Sequence, residues 1–67
     1  MRADRVELSW DTGKSDWLVR IESGEEVIRR HCKESKDADE AKLRAAGVAT
    51  AKDEGYDADT SQVSVRR

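Results

Sequence analysis

Proline and phenylalanine are both missing from this 67-residue chain, and cysteine occurs once, at Cys32. A single cysteine excludes an internal disulfide. The absence of proline, with only four glycines, excludes a flexible linker or a low-complexity segment. No apolar run approaches the length that spans a membrane. The N-terminus carries no apolar signal segment, and with the unpaired cysteine this makes a reducing cytoplasm the expected location. No internal repeat is present. Without phenylalanine, Trp10 and Trp17 must supply much of any core, each able to hide on the order of 150–250 Å².

Charged residues make up 42% of the chain and nearly cancel to a net charge of -2. That balance fits neither a dedicated polyanion binder nor a strongly acidic surface. The length predicts one domain over residues 1–67, near the lower limit at which a single core is stable without staples. Association with a second copy would relieve the shortage of apolar residues.

Between Trp17 and Ala46 the hydrophobic period changes from two to three-to-four. Val6, Leu8 and Trp10 alternate with Arg5, Glu7 and Ser9, which predicts a half-buried strand. The turn formers of residues 11–16 lead to a second strand, 17–22, whose Leu18 lies opposite Trp17 and Val19. A two-residue turn at Ser23-Gly24 would pair Val19 with Ile28 and Arg20 with Val27, with Ile28 and Cys32 facing the core and Val27, Arg29, His31 and Lys33 facing outward. A three-residue loop would exchange those faces. A helix is expected from an Asp37 N-cap, with Glu40 completing a capping box. Ala38, Ala41, Ala45, Val48 and Ala49 form its sheet-facing side, with Leu43 off that side and exposed. Gly47 marks a point of bending or fraying, and Gly55 ends the helix so that Tyr56 folds back over the core. A final strand carries Val63 and Val65 inward. The expected fold is α+β: a small antiparallel sheet, ordered β-β-β-α-β, with one helix packed on one face.

Three groupings invite a chemical reading. Thr12-Gly13-Lys14-Ser15 resembles part of a phosphate-binding loop, but the glycine needed five residues earlier is Leu8, and a strand follows where a helix is required. Asp57, Asp59 and Ser61 have the one-three-five spacing of a calcium loop, but Gln62 occupies the glycine position, and a solvated acidic turn is the simpler reading. His31 and Cys32 are neighbours on a strand and so point to opposite faces. With no other histidine or cysteine, no metal ligand set is expected from them within one chain, although a disulfide or shared metal across a dimer stays open. No Ser/His/Asp arrangement occurs. The expectation is a protein without catalytic residues, cofactor or metal, with any small-molecule ligand unknown and no membrane partner.

Two binding readings remain. In the first, the outer face of the sheet displays Arg5, Arg20, Arg29, His31, Lys33 and Arg66 against Glu7 and Glu22, while most other acids lie on the helix and the turn after it. Such a face could track a phosphate backbone. The strand Trp17-Leu18-Val19-Arg20, the charged hairpin from Gly24 to Lys33 and the Ala-rich helical stretch from Ser35 to Ala46 resemble the three-strand-plus-helix DNA-binding domain of phage integrases and ethylene-response factors. They are similar as well to small uncharacterised bacterial domains of the same pattern. The integrase resemblance covers about half the chain and implies a sheet inserted into the major groove. In the second reading the chain associates with protein, most simply as a homodimer. Leu18 and Val27 would be cross-strand or diagonal neighbours in an apolar spot, and an open sheet edge would accept another strand. The candidate partner-binding residues are Leu18, Arg20, Val27, Arg29 and His31.

Overall fold

A computed structural model describes residues 2–66. Three strands come first: β1 (Arg5–Asp11), β2 (Asp16–Ser23) and β3 (Glu26–Cys32). The helix α1 (Glu40–Asp53), a 3-10 turn (Thr60–Gln62) and β4 (Val63–Arg66) complete the α+β fold. The alternating residues of β1 and β2 behave as their period dictates. Val6, Leu8, Trp17, Val19 and Ile21 are fully buried under α1, while the intervening residues face away from it. Trp10, half-buried, meets Trp17 edge-on at a centroid distance of 5.5 Å. The Trp17 indole donates to the Ser35 carbonyl at 3.0 Å, fastening the β3–α1 connection to the core.

The sheet is ordered β3-β2-β1-β4. The first three strands are antiparallel to their neighbours, as expected, but β4 pairs with β1 in parallel, Val6 opposite Val63 and Leu8 opposite Val65. The sheet is therefore mixed. The reason is geometric: one helix returns the chain to the end where β3 began, so β4 runs in the direction of β3 and hence of β1.

The β2–β3 turn also differs from expectation. Ser23 pairs with Glu26, so the two turn residues are Gly24 and Glu25, and the whole register moves by two, to Ile21 opposite Ile28 and Arg20 opposite Arg29. Gly24 takes φ +60°, a left-handed conformation that favours glycine, and its amide donates to Asp4 Oδ2 at 2.6 Å. A slip of two leaves every side chain on its predicted face. Ile28 and Cys32 do pack against the core.

The helix departs further. It begins at Glu40 with Asp39 as N-cap, and that cap makes no side-chain hydrogen bond. Asp37 belongs instead to a preceding turn, in which Ser35 Oγ accepts from the Asp37 amide and the Ser35 carbonyl from the Ala38 amide. The buried stripe is Leu43, Gly47 and Ala51, so Leu43 is central, whereas Ala41, Ala45 and Ala49 are exposed. A Cβ at Gly47 would stand 2.8 Å from Leu8 Cδ1, which shows why a glycine occupies mid-helix: it sets the distance between helix and sheet. The C-terminus follows expectation. Gly55, at φ +88°, donates to the Lys52 carbonyl, and Tyr56 donates to the Ala51 carbonyl, the hydrogen bonds of a Schellman motif. Tyr56 then lies buried over the core with its hydroxyl donating to Glu26 Oε2 at 3.0 Å.

Candidate functional site

Among the described residues α1 covers only one face of the sheet, and the other face is open. Strand alternation places Glu7, Ser9 and Asp11 of β1 there, with Asp16, Leu18, Arg20 and Glu22 of β2, Val27, Arg29 and His31 of β3, and Ser64 and Arg66 of β4. All five predicted partner-binding residues share this surface. Leu18 and Arg20 are half-buried, while Val27, Arg29 and His31 are exposed. Among the described residues Val27, at 39% exposure, is the exposed large hydrophobic side chain.

The face is not one patch, however. Leu18 pairs with His31 and Val27 with Glu22, so Leu18 and Val27 stand four residues apart along the ladder rather than as neighbours. The predicted apolar spot is thus divided, a direct consequence of the two-residue register shift.

Charge on the face is likewise interleaved. Arg5 lies 3.5 Å from Glu22 and 4.0 Å from Glu7, and Arg20 Nε lies 3.8 Å from Glu22 Oε2. Arg20 Nε is buried without a hydrogen-bond partner, so Glu22 balances its charge without satisfying its donor. At the far end His31 Nδ1 contacts Asp16 Oδ1 at 2.9 Å, and Asp11 sits directly across the β1–β2 ladder from Asp16. Sequence reasoning treated His31 through its neighbour Cys32. Its partner is Asp16, 15 residues away in the chain, with Asp11 within 4.8 Å, a grouping recognisable only by running the outward register of all three strands together.

Cys32 lies on the opposite side of β3, half-buried against the core. Burial, then the carboxylates of Glu34 and Asp16, push its thiol pKa up, away from the thiolate that nucleophilic chemistry requires. Arg30, on the same side, pairs with Glu54 at the helix C-cap and ties the outer strand to α1. Residues 12–15 form the turn between β1 and β2, and β2 follows them directly, so no helix N-terminus is available to a phosphate. The acidic run is put to structural use. The backbone of Asp57 forms a β-bridge with that of Arg2, and Asp59 pairs with Arg2 at 3.6 Å and caps the 3-10 turn reciprocally with Gln62. No helix of the described residues is long and apolar enough to cross a membrane.

Fold and face together define a small α+β sheet module with one covered and one open side. The chain matches no protein-family model, no curated protein and no solved structure.

Proposed function

We propose that this chain is a non-catalytic assembly module that pairs with a second copy of itself through β3 and the adjoining open face. The observation that carries this reading is the charge order along β3. Among the described residues the strand is an edge, bonded to β2 alone, and from the turn residue before it the chain runs Glu25-Glu26-Val27-Ile28-Arg29-Arg30-His31, acidic at one end and basic at the other. Antiparallel pairing of two such strands, centred on Ile28, brings Glu26 of one copy opposite Arg30 of the other and Val27 opposite Arg29. Unlike charges then meet, where a parallel arrangement would set like against like. Charged side chains on an edge strand ordinarily oppose pairing; here their order makes antiparallel self-pairing complementary instead of repulsive. Leu18 and Val27 would supply desolvated contact, with Arg20, Arg29 and His31 around them. A marginal core is the other support, since association buries apolar surface that 67 residues cannot bury alone.

Binding of DNA through the same face has weaker support. Arg5 and Arg20 already stand among Glu7 and Glu22, so the surface offers a phosphate backbone little net positive charge.

Sedimentation over a wide concentration range tests the proposal. Self-association is expected in the unmodified chain, weakened in Glu26→Arg and in Arg30→Glu, and restored when the two changes are combined, with each variant's amide spectrum showing that the fold survives loss of the Tyr56–Glu26 or Arg30–Glu54 contact. Persistence of the same oligomer in Leu18→Ser/Val27→Thr and in both charge reversals would refute it, as would a monomer at all concentrations. Salt-sensitive amide shifts with a mixed-sequence duplex, centred on Arg20, Arg29 and His31, would favour the DNA alternative.

A further inference from the structure

The geometry points to a divalent transition-metal site at one end of the open face, built from Asp11, Asp16 and His31. These are the last residue of β1, the first of β2 and the penultimate residue of β3, so three strands converge on one spot. One ligand atom from each residue lies within 4.8 Å of the other two. His31 already turns Nδ1 towards Asp16 Oδ1, at 2.9 Å, so one ring nitrogen is aimed at that carboxylate.

The second part of the argument concerns charge. Asp11 and Asp16 face each other at the end of the β1–β2 ladder, and both are half-buried. Like charges directly opposed across a ladder destabilise it, and a divalent cation between them removes that cost. The Asp11 carboxylate is oriented by the β1–β2 turn, its Oδ1 accepting from the amides of Gly13 at 3.0 Å and Lys14 at 3.3 Å. Ligand atoms around a tetrahedral zinc with bonds of about 2.0–2.2 Å stand roughly 3.4 Å apart. Ligand atoms within 4.8 Å of one another therefore need to close by about 1.4 Å at most, and the His31–Asp16 pair at 2.9 Å to open by about 0.5 Å, shifts that χ rotations of the two half-buried aspartates provide.

The donor set selects the ion. One imidazole nitrogen and two carboxylates suit Zn²⁺ or another first-row transition ion, while Mg²⁺ prefers an all-oxygen octahedral shell with several waters. Three protein ligands leave a position open for water or for a donor from another molecule, the arrangement of a reactive or bridging centre rather than a closed structural one.

Titration of the tag-free chain with Zn²⁺, followed by amide and imidazole chemical shifts, tests the site, with Mg²⁺ titrated in parallel. The expected result is saturation at one equivalent, with shifts centred on residues 11–16 and 31. Asp11→Asn and His31→Gln should each weaken Zn²⁺ binding at least about tenfold, the lower end of what losing even an outer-shell partner costs. Cys32→Ser should leave the affinity unchanged, because Cys32 projects to the other side of β3. All three positions are at least partly exposed, and each variant's amide spectrum reports directly on its fold. Failure to saturate at sub-millimolar Zn²⁺ would overturn the site. So would shifts centred on Cys32 or on residues 57–59, equal binding of Mg²⁺, or unchanged affinity in Asp11→Asn.

Discussion

Gly47 of the helix and Leu8 of β1 are in contact closely enough that a Cβ on the glycine would fall 2.8 Å from Leu8 Cδ1. Val63 Cγ1 and Val6 Cγ1 would follow at 3.1 and 3.3 Å. These three side chains are almost completely buried, so none has solvent to retreat into. Glycine to alanine in mid-helix ordinarily gains about 1 kcal/mol, whereas overpacking a core costs about 1–3 kcal/mol. Gly47→Ala is accordingly expected to lower the unfolding free energy by roughly 1 kcal/mol net. Urea denaturation measures it, and a more stable variant would show that α1 can move off the sheet at no cost.

Leu43 and Ala45 give opposite results if the buried stripe is the one described. Leu43 has no exposed surface and Ala45 is exposed. Leu43→Ala should cost about 2–5 kcal/mol, enough to unfold much of a domain this small. Ala45→Ser should stay within about 0.5 kcal/mol of the unmodified chain. Similar midpoints for the two variants in thermal unfolding would contradict the helix orientation.

Tyr56 links stability to alkaline pH. Its hydroxyl donates to Glu26, and that hydrogen bond, then burial, then the carboxylate charges of Glu26 and Glu54 all hold its pKa above the ordinary value. A raised folded-state pKa means that the folded chain keeps the phenolic proton after the unfolded chain has lost it. Its contribution is therefore complete below about pH 10, the ordinary tyrosine range, and is lost as pH rises through the folded value. Tyr56→Phe should lower stability at neutral pH by loss of the hydrogen bond to Glu26 and flatten the decline of stability above about pH 10. An unchanged alkaline profile would show that the Tyr56–Glu26 contact is absent in solution.

The strands were legible because period-two alternation responds to local burial alone. Val6, Leu8, Trp17, Val19 and Ile21 fall where the pattern puts them. The faces of β3 were legible for a subtler reason, since the true turn, Gly24-Glu25, lies one residue beyond Ser23-Gly24 and so shifts the register by two, which preserves side-chain direction. The neighbours across the ladder were not legible. They depend on which residues of the turn adopt left-handed φ, and Leu18 and Val27 were separated as a result. The helix face was obscured by composition. Alanines occur on several sides of α1, and the stripe that packs contains a glycine, whose value lies in the close approach of Leu8 rather than in its own hydrophobicity.

Of the candidate residues, all five on the open face were readable one strand at a time. The convergence of Asp11, Asp16 and His31 was not, because it is a property of three strands in a particular register. By itself the sequence determined the element order, the inward side of each strand, the Gly55 helix stop and the absence of an internal disulfide, all consequences of local sterics or residue inventory. Only the tertiary structure decided that β4 lies parallel beside β1, that Leu43 and Gly47 face the sheet, and which charges meet across the open face. Those depend on distances between segments far apart in the chain, where packing and Coulomb energies outweigh local preference.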